Sequence, residues 1–263
     1  MTVIFLKLGG SLITDKTGVE AVREAVLGRV VKEIAAARQE NPALRLVVGH
    51  GGGSFGHVAA AKSHTRQGVR TAEQWHDFAE VHAAMARLNR LVVEALLAAG
   101  VPALSLQPSA GVLCENGRIK QIETAPMLAA LAAGLVPVIY GDVAFDSEIG
   151  GTIVSTEEVV MALADALQPT WLLLAGEVPG VLDGQGEVVP KITAVTFDDI
   201  KPALGGSRGT DVTGGMTSKV QSMLALVEKQ AALSIRILTG LESGVVQGAL
   251  LAPNEAGGTL ISR

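Results

Sequence analysis

Four cationic or proton-carrying side chains stand beside three glycine clusters. Lys7 and Lys16 flank Gly9-Gly10, His57 follows Gly51-Gly52-Gly53, and Lys219 follows Gly214-Gly215. Glycine lets a main chain turn sharply or come very close to another group. Where such a turn ends a strand or opens a helix, free backbone N–H groups face outward and favour anions, phosphate above all. Taken singly, a glycine pair after a strand is most often a tight turn. A lone lysine is usually a solvated charge, and a histidine there an ordinary helix-start residue. Three clusters at equivalent places, each with a cation, in a chain of net charge −5, point to phosphate held in a defined pocket. The common nucleotide fingerprints are absent: no G-x-x-x-x-G-K-[ST], and no G-x-G-x-x-G after a strand.

The elements around these clusters follow from hydrophobic periodicity. "VIFLKL" reads as a buried strand ending at Gly9-Gly10-Ser11, and "LRLVVGH" as a second ending at the triple glycine. Val22, Val26, Val30 and Ile34 recur at four-residue steps and predict a helix over Val19–Gln39. Glu73–Ala99 reads as a long helix stopped by Gly100 and Pro102. Further strands are expected at "VPALSLQ", "LVPVIYG", "TWLLLAG", "SIRILTG" and "GGTLIS", with a hairpin at Asn116-Gly117 and a loop pair over Asp142–Val154. Helices are expected near Pro126–Ala133, Thr156–Leu167, Met216–Gln230 and Gly244–Leu251. This alternation predicts an open three-layer α/β/α sandwich. Hydrophobic residues are 48% of the chain but aromatics 3%, so the core is mostly Ala, Val, Leu and Ile, as suits helices on a parallel sheet. No repeat of fixed period is present, and a division into lobes would fall near residues 165–170.

Several function classes are disfavoured. Without a basic run, nucleic acid and anionic membrane are poor partners. The single Cys114 fits a reducing compartment. "MTVIFLKLGGS" lacks the basic segment of a secretory signal, and the uncharged runs Ala95–Cys114 and Ala125–Gly141 are each broken by two prolines. A cytoplasmic protein is expected.

"KLGGSLITDK" (Lys7–Lys16), "HGGGSFGH" (His50–His57), "GDVAFD" (Gly141–Asp146) and "DVTGGMTSKV" (Asp211–Val220) resemble the signature segments of the amino acid kinase superfamily, and more narrowly those of isopentenyl phosphate kinases. The resemblance runs in order along nearly the whole chain, through "SLQPS" at Ser105–Ser109 to the closing "GGTLI". It implies a mainly parallel sheet of about eight strands in one kinase domain, usually a homodimer. Residues 1–167 would form the acceptor lobe and 168–263 the nucleotide lobe. The implied reaction moves the γ-phosphoryl group of MgATP to isopentenyl phosphate, with ATP and Mg²⁺ as cofactors and no metal ligand assigned.

Carried across residue by residue, the resemblance puts Lys7, Gly9, Gly10 and Ser11 at the transferring phosphate. Lys16 would hold the β/γ-phosphates, and Lys219, with Gly214 and Gly215, would approach from the nucleotide side. Ser54 and Glu177 would also serve the nucleotide. Gly52, Gly53 and His57 would hold the acceptor phosphate, joined by Gly141, Asp142, Ser155 and Thr156. Lys7, Lys16, His57 and Lys219 form the catalytic set. A phosphate acceptor is already ionised at neutral pH, so His57 reads as a hydrogen-bond donor and not a general base. Phe78, Val81 and Met85 share a helix face that would line an isoprenoid pocket, although such a stripe is more often core. His76 and His82 lack a metal-ligand arrangement and read as surface residues.

Two segments depart from the family pattern. "STEE" (Ser155–Glu158) stands where many relatives have SGDD, and "GEVPGV" (Gly176–Val181) where they have TDVDGV. Asp142, Asp146 and Asp211 remain as acidic candidates near the site. Two other readings compete: a kinase for another small phosphate or phosphonate such as fosfomycin, and a non-catalytic ligand sensor on the same fold. The apolar helix face disfavours the first, and the retained lysines disfavour the second.

Overall fold

The computed structural model describes residues 3–56, 65–204 and 215–263. His57, Asp211 and Gly214 lie outside the described residues. The strands are β1 (Val3–Leu8), β2 (Arg45–His50), β3 (Ala103–Ser105), β4 (Val112–Glu115), β5 (Arg118–Ile122), β6 (Val136–Tyr140), β7 (Asp142–Asp146), β8 (Gly150–Val154), β9 (Trp171–Gly176), β10 (Lys191–Ile192), β11 (Ser234–Thr239) and β12 (Thr259–Ile261). The helices are α1 (Gly10–Ile13), α2 (Glu24–Glu40), α3 (Ala72–Ala98), α4 (Pro108–Gly111), α5 (Ala125–Ala132), α6 (Thr156–Leu167), α7 (Ala194–Ile200), α8 (Gly215–Lys229) and α9 (Val245–Leu251). Residues 53–56 begin a further helical turn.

One eight-stranded sheet has the order β10-β12-β11-β9-β1-β2-β6-β3, and every pair in it is parallel except β11 with β12. This is the architecture expected from the sequence. Side chains of β1 alternate between two cores, as strand geometry requires. Val3 and Phe5 face the core shared with Val159, Val160 and Leu163 of α6 and with Val220 and Met223 of α8. Ile4, Leu6 and Leu8 face the opposite core, covered by α2, α3 and α9 through Val30, Ile34, Leu88, Val92 and Val246. Lys7 continues the Val3–Phe5 row, so it emerges on the α6/α8 side. That alternation alone decides which helices can reach it.

The β1, β2, β6 and β9 strands leave the sheet together. Leu8 is opposite both His50 and Ala175, and His50 is opposite Tyr140. Their carboxyl ends therefore form one edge, where ligands of open α/β sheets gather. A second, four-stranded sheet, β5-β4-β7-β8, stands beside it. Its β4–β5 turn has φ of 51° at Asn116 and 76° at Gly117, the positive pair that a two-residue hairpin demands.

Three sequence expectations shift. Helix α2 begins at Glu24, five residues later than periodicity suggests, because Val22 forms an antiparallel bridge with Thr14. The strand expected over "VPALSLQ" is confined to Ala103–Ser105 at the sheet edge. Both β10 and α7 lie in a stretch for which no element was expected; α7 is only seven residues long but carries a Thr193 capping box.

Candidate active site

Two glycine-rich turns meet at the edge where β1 and β2 end. A Cβ placed on Gly51 would lie 2.8 Å from the backbone nitrogen of Gly10, and one on Gly53 would lie 2.6 Å from the Gly10 oxygen. Gly53 also has φ +48°, a left-handed value that disfavours a side chain. Main chain thus packs on main chain between the two turns. Thr14 locks the contact: its hydroxyl donates to Gly10 O at 2.8 Å and accepts from Ser54 N at 2.9 Å. The β9 end joins through Gly9 N donating to Ala175 O, 2.8 Å.

Into this edge the α6/α8 side delivers three charges. Lys7 is buried, and its Nζ lies 2.5 Å from Glu157 Oε1. Lys219 Nζ lies 3.8 Å from the same oxygen. Glu157 sits in the first turn of α6, after the Ser155 cap, whose hydroxyl accepts from Glu158 N while the Glu158 side chain returns to Ser155 N. Burial works against ionisation of Glu157, but Lys7 and then Lys219 outweigh it, holding the carboxyl below its ordinary value. A lysine in a central strand is costly unless paired. Here one carboxylate aligns two ammonium groups from opposite halves of the chain.

The structure therefore brings Lys7, Gly9, Gly10, Gly52, Gly53 and Lys219 to one edge. Lys16 stands on the exposed turn after α1, next to Asp15, which accepts from Thr17 N and Oγ1. Ser11 lies in α1, and Gly215 opens α8 with φ +71°. Gly141 lies against Thr156 N and Val154 O.

Four expected site residues have protein partners of their own. The Ser54 hydroxyl is buried and accepts from Ala21 N at 3.2 Å, so it ties two loops instead of facing a nucleotide. Thr156 Oγ1 donates to His50 O at 2.6 Å and pins α6 to β2. Glu177 is paired with Arg23 at 2.8 Å. Asp142 is fully buried and accepts from Val143 N (2.9 Å) and Ser109 N (3.2 Å), with His82 Nδ1 at 3.0 Å. Asp146 is likewise removed from the acidic candidates, because it accepts from the backbone N–H groups of Asn116, Gly117, Glu148 and Ile149 and organises the hairpins.

Helix α3 approaches from the other side. A Cβ on Gly52 would lie 2.9 Å from the Met85 sulfur, so Met85 packs directly on the second glycine turn. One and two turns earlier, Val81 and Phe78 join Val69 and Val143 in a small separate cluster, with Ile153 against it. Phe78, Trp75 and Phe145 form an aromatic group with ring centroids 5.2–5.9 Å apart. Further along α3, Asn89 Nδ2 lies 3.1 Å from His50 Nε2. His50 is wholly buried, and burial pushes its pKa down to about 4, so it is a neutral structural ring.

Sequence reasoning missed two residues here. Glu157 was visible only as a departure from a pattern, and its meaning depends on a contact 150 residues away in the chain. His82, a surface residue by sequence, is half-buried and held by Asp142, whereas His76 is exposed as expected.

The fold and this edge define a class. The amino acid kinase family model matches residues 2–239, and the chain belongs to that family. Within it, the chain belongs with the isopentenyl phosphate kinases. It is 43% identical over 235 residues to the isopentenyl phosphate kinase of Haloferax volcanii, covering 86% of this chain and 89% of that one. It is 34% identical to that of Methanothermobacter thermautotrophicus, covering 99% of each. A solved isopentenyl phosphate kinase structure superposes with a TM-score of 0.83 at 30% identity, covering 99% of this chain and 100% of that one.

Proposed function

We propose that this protein transfers the γ-phosphoryl group of ATP to the phosphate of isopentenyl phosphate, giving isopentenyl diphosphate and ADP. The observation that carries this reading is the Lys7–Glu157–Lys219 array at the mouth of two interlocked glycine turns. Phosphoryl transfer asks little covalent chemistry of a protein; it needs positioning and compensation of charge on the transferring group. Donor and acceptor here are both strongly anionic, so their approach is opposed by repulsion. Ammonium groups and amides fixed in advance offset it, each typically worth roughly 3 kcal/mol in the transition state.

The roles divide by side of the sheet. Lys7 with Gly9, Gly10 and Ser11 meets the transferring phosphate, and Lys219 with Gly214 and Gly215 steadies it from the nucleotide side. Lys16, on its exposed turn, closes on the β/γ-phosphates. Gly52, Gly53 and His57 receive the acceptor phosphate. Met85, Val81 and Phe78 supply the apolar surface for the five-carbon tail, which a carboxylate-bearing acceptor would not need. Residues 1–167 serve the acceptor and 168–263 the nucleotide. The carboxylates near this edge give magnesium little to bind: Glu157 is engaged by two ammonium groups, Asp142 by His82 and amides, and Glu177 by Arg23. Among the described residues no three acidic, histidine or cysteine side chains gather. Magnesium arriving with ATP would rest on phosphate oxygens, and no step here runs through it.

The protein acts as a cytoplasmic homodimer on small molecules. Among the described residues no helix is long and apolar enough to cross a membrane. ADP release measured in parallel with isopentenyl phosphate, dimethylallyl phosphate, fosfomycin and N-acetylglutamate tests the reading. Highest turnover with isopentenyl phosphate is expected; preference for N-acetylglutamate or fosfomycin would reject it.

A further inference from the structure

On an otherwise apolar face of α3, between Phe78 and Val81 on one side and Met85 on the other, stands one imidazole. His82 Nδ1 lies 3.0 Å from Asp142 Oδ1, and the Ser109 hydroxyl is 3.5 Å from the same nitrogen. Asp142 is 0% exposed, whereas the His82 side chain is 31% exposed. Among the described residues the other ring nitrogen, Nε2, has no protein hydrogen bond. A carboxylate withdrawn wholly from water is costly unless its oxygens are satisfied. Two backbone amides and this ring satisfy it. The arrangement is that of a buried carboxylate fixing the rotation of a ring whose far nitrogen works elsewhere.

Where that nitrogen can work follows from position. The pairing of β2 with β6 ends at His50 opposite Tyr140, so Gly52 and Asp142 leave the sheet from neighbouring strands at the same level. Met85, which packs on Gly52, is three residues beyond His82 and hence its neighbour on the helix face. His82 is thus on the flank of the glycine turn that the functional reading gives to the acceptor phosphate, beside the Phe78, Val81 and Met85 side chains which that reading gives to its apolar tail.

We propose that His82, held by the positioning residue Asp142, is a second imidazole contact to the acceptor, its Nε2–H donating to the acceptor's phosphate on the α3 side. The proposal rests on the functional reading above. It makes the acceptor site selective for a phosphate at the head of an apolar group. An imidazolium clamped between two anions, both of its N–H groups donating, holds that phosphate at a set distance from Met85.

Steady-state kinetics on the full-length wild type, His82→Ala, His82→Gln and Asp142→Asn tests it, with isopentenyl phosphate and ATP varied separately and melting temperatures recorded. His82→Ala is expected to raise KM for isopentenyl phosphate about tenfold or more, with KM for ATP unchanged. His82→Gln, whose amide keeps a donor near the Nε2 position, should recover part of the loss and serves if the alanine variant does not fold. Asp142→Asn should fall between wild type and His82→Ala. An acceptor KM in His82→Ala and His82→Gln equal to wild type overturns the proposal and leaves the functional reading standing. Parallel rises in both KM values with a lowered melting temperature make the pair structural and overturn it too. A wild type inactive on isopentenyl phosphate overturns the functional reading itself.

Discussion

Glu157 is the residue whose chemistry the site depends on most among those without a reacting atom. It faces two cations and holds both at one oxygen. Glu157→Gln keeps the shape and removes the charge. Initial-rate measurements should then show kcat lower by on the order of a hundredfold, with Glu157→Asp less affected; an unchanged kcat in the glutamine variant would remove the role. His50 gives a separate pH signature. Its folded pKa, about 4, lies below the ordinary 6.5, so the unfolded chain takes up this proton first. Stability therefore falls as pH drops from about 6.5 toward 4, by on the order of 3 kcal/mol across that window. Glu157, held below its ordinary 4.5, withdraws its contribution only at lower pH. Denaturant titrations at stepped pH should show the His50 slope flattened in His50→Gln; an identical slope would assign it to other groups. At this scale, the lysines and glycines were legible because their types and their places after strands already imply an anion. Glu157 and His82 were not. Each gains its role from a partner on another element, and no local spacing records that.

Elements were legible where burial follows a simple pattern. The continuous apolar run of β1, buried between two cores, and the 3.6-residue stripes of α3, α6 and α8, each facing one core, match the expected bounds within a residue or two. The start of α2 did not, because Val22 keeps the helical spacing while its backbone pairs with Thr14. The interlocked turns give the sharpest contrast between two glycines. A Cβ at Gly10 would press into the Gly53 backbone, which cannot move without parting β1 from β2. Gly28, inside α2, has nothing within 4 Å of the same position. Chemical denaturation should find Gly10→Ala destabilised by about 3 kcal/mol or more and inactive. Gly28→Ala should be stabilised by about 0.5–1 kcal/mol with activity intact. Equal effects at the two sites would contradict the packing described here.

Across the whole molecule, one continuous sheet joins the two halves at β1 and β9, which is why Lys7 and Lys219, far apart in sequence, reach one carboxylate. Leu91 and Leu97 on α3 and Leu104 on the edge strand β3 are exposed, apolar surface that a second copy of the chain would cover. Sedimentation equilibrium tests the proposed homodimer: twice the chain mass is expected, and a monomer at micromolar concentration would contradict it. The overall architecture was legible from alternating strands and helices, whereas the closeness of the β1, β2, β6 and β9 ends depends on sheet order, which periodicity does not encode. The central claim is that this edge joins a phosphate to a phosphate. Phosphorus NMR of the wild type with ATP and isopentenyl phosphate tests it most directly. A new pair of coupled diphosphate resonances is expected to appear in step with ADP; ADP formed without them, or no reaction at all, would contradict the phosphate-to-phosphate transfer.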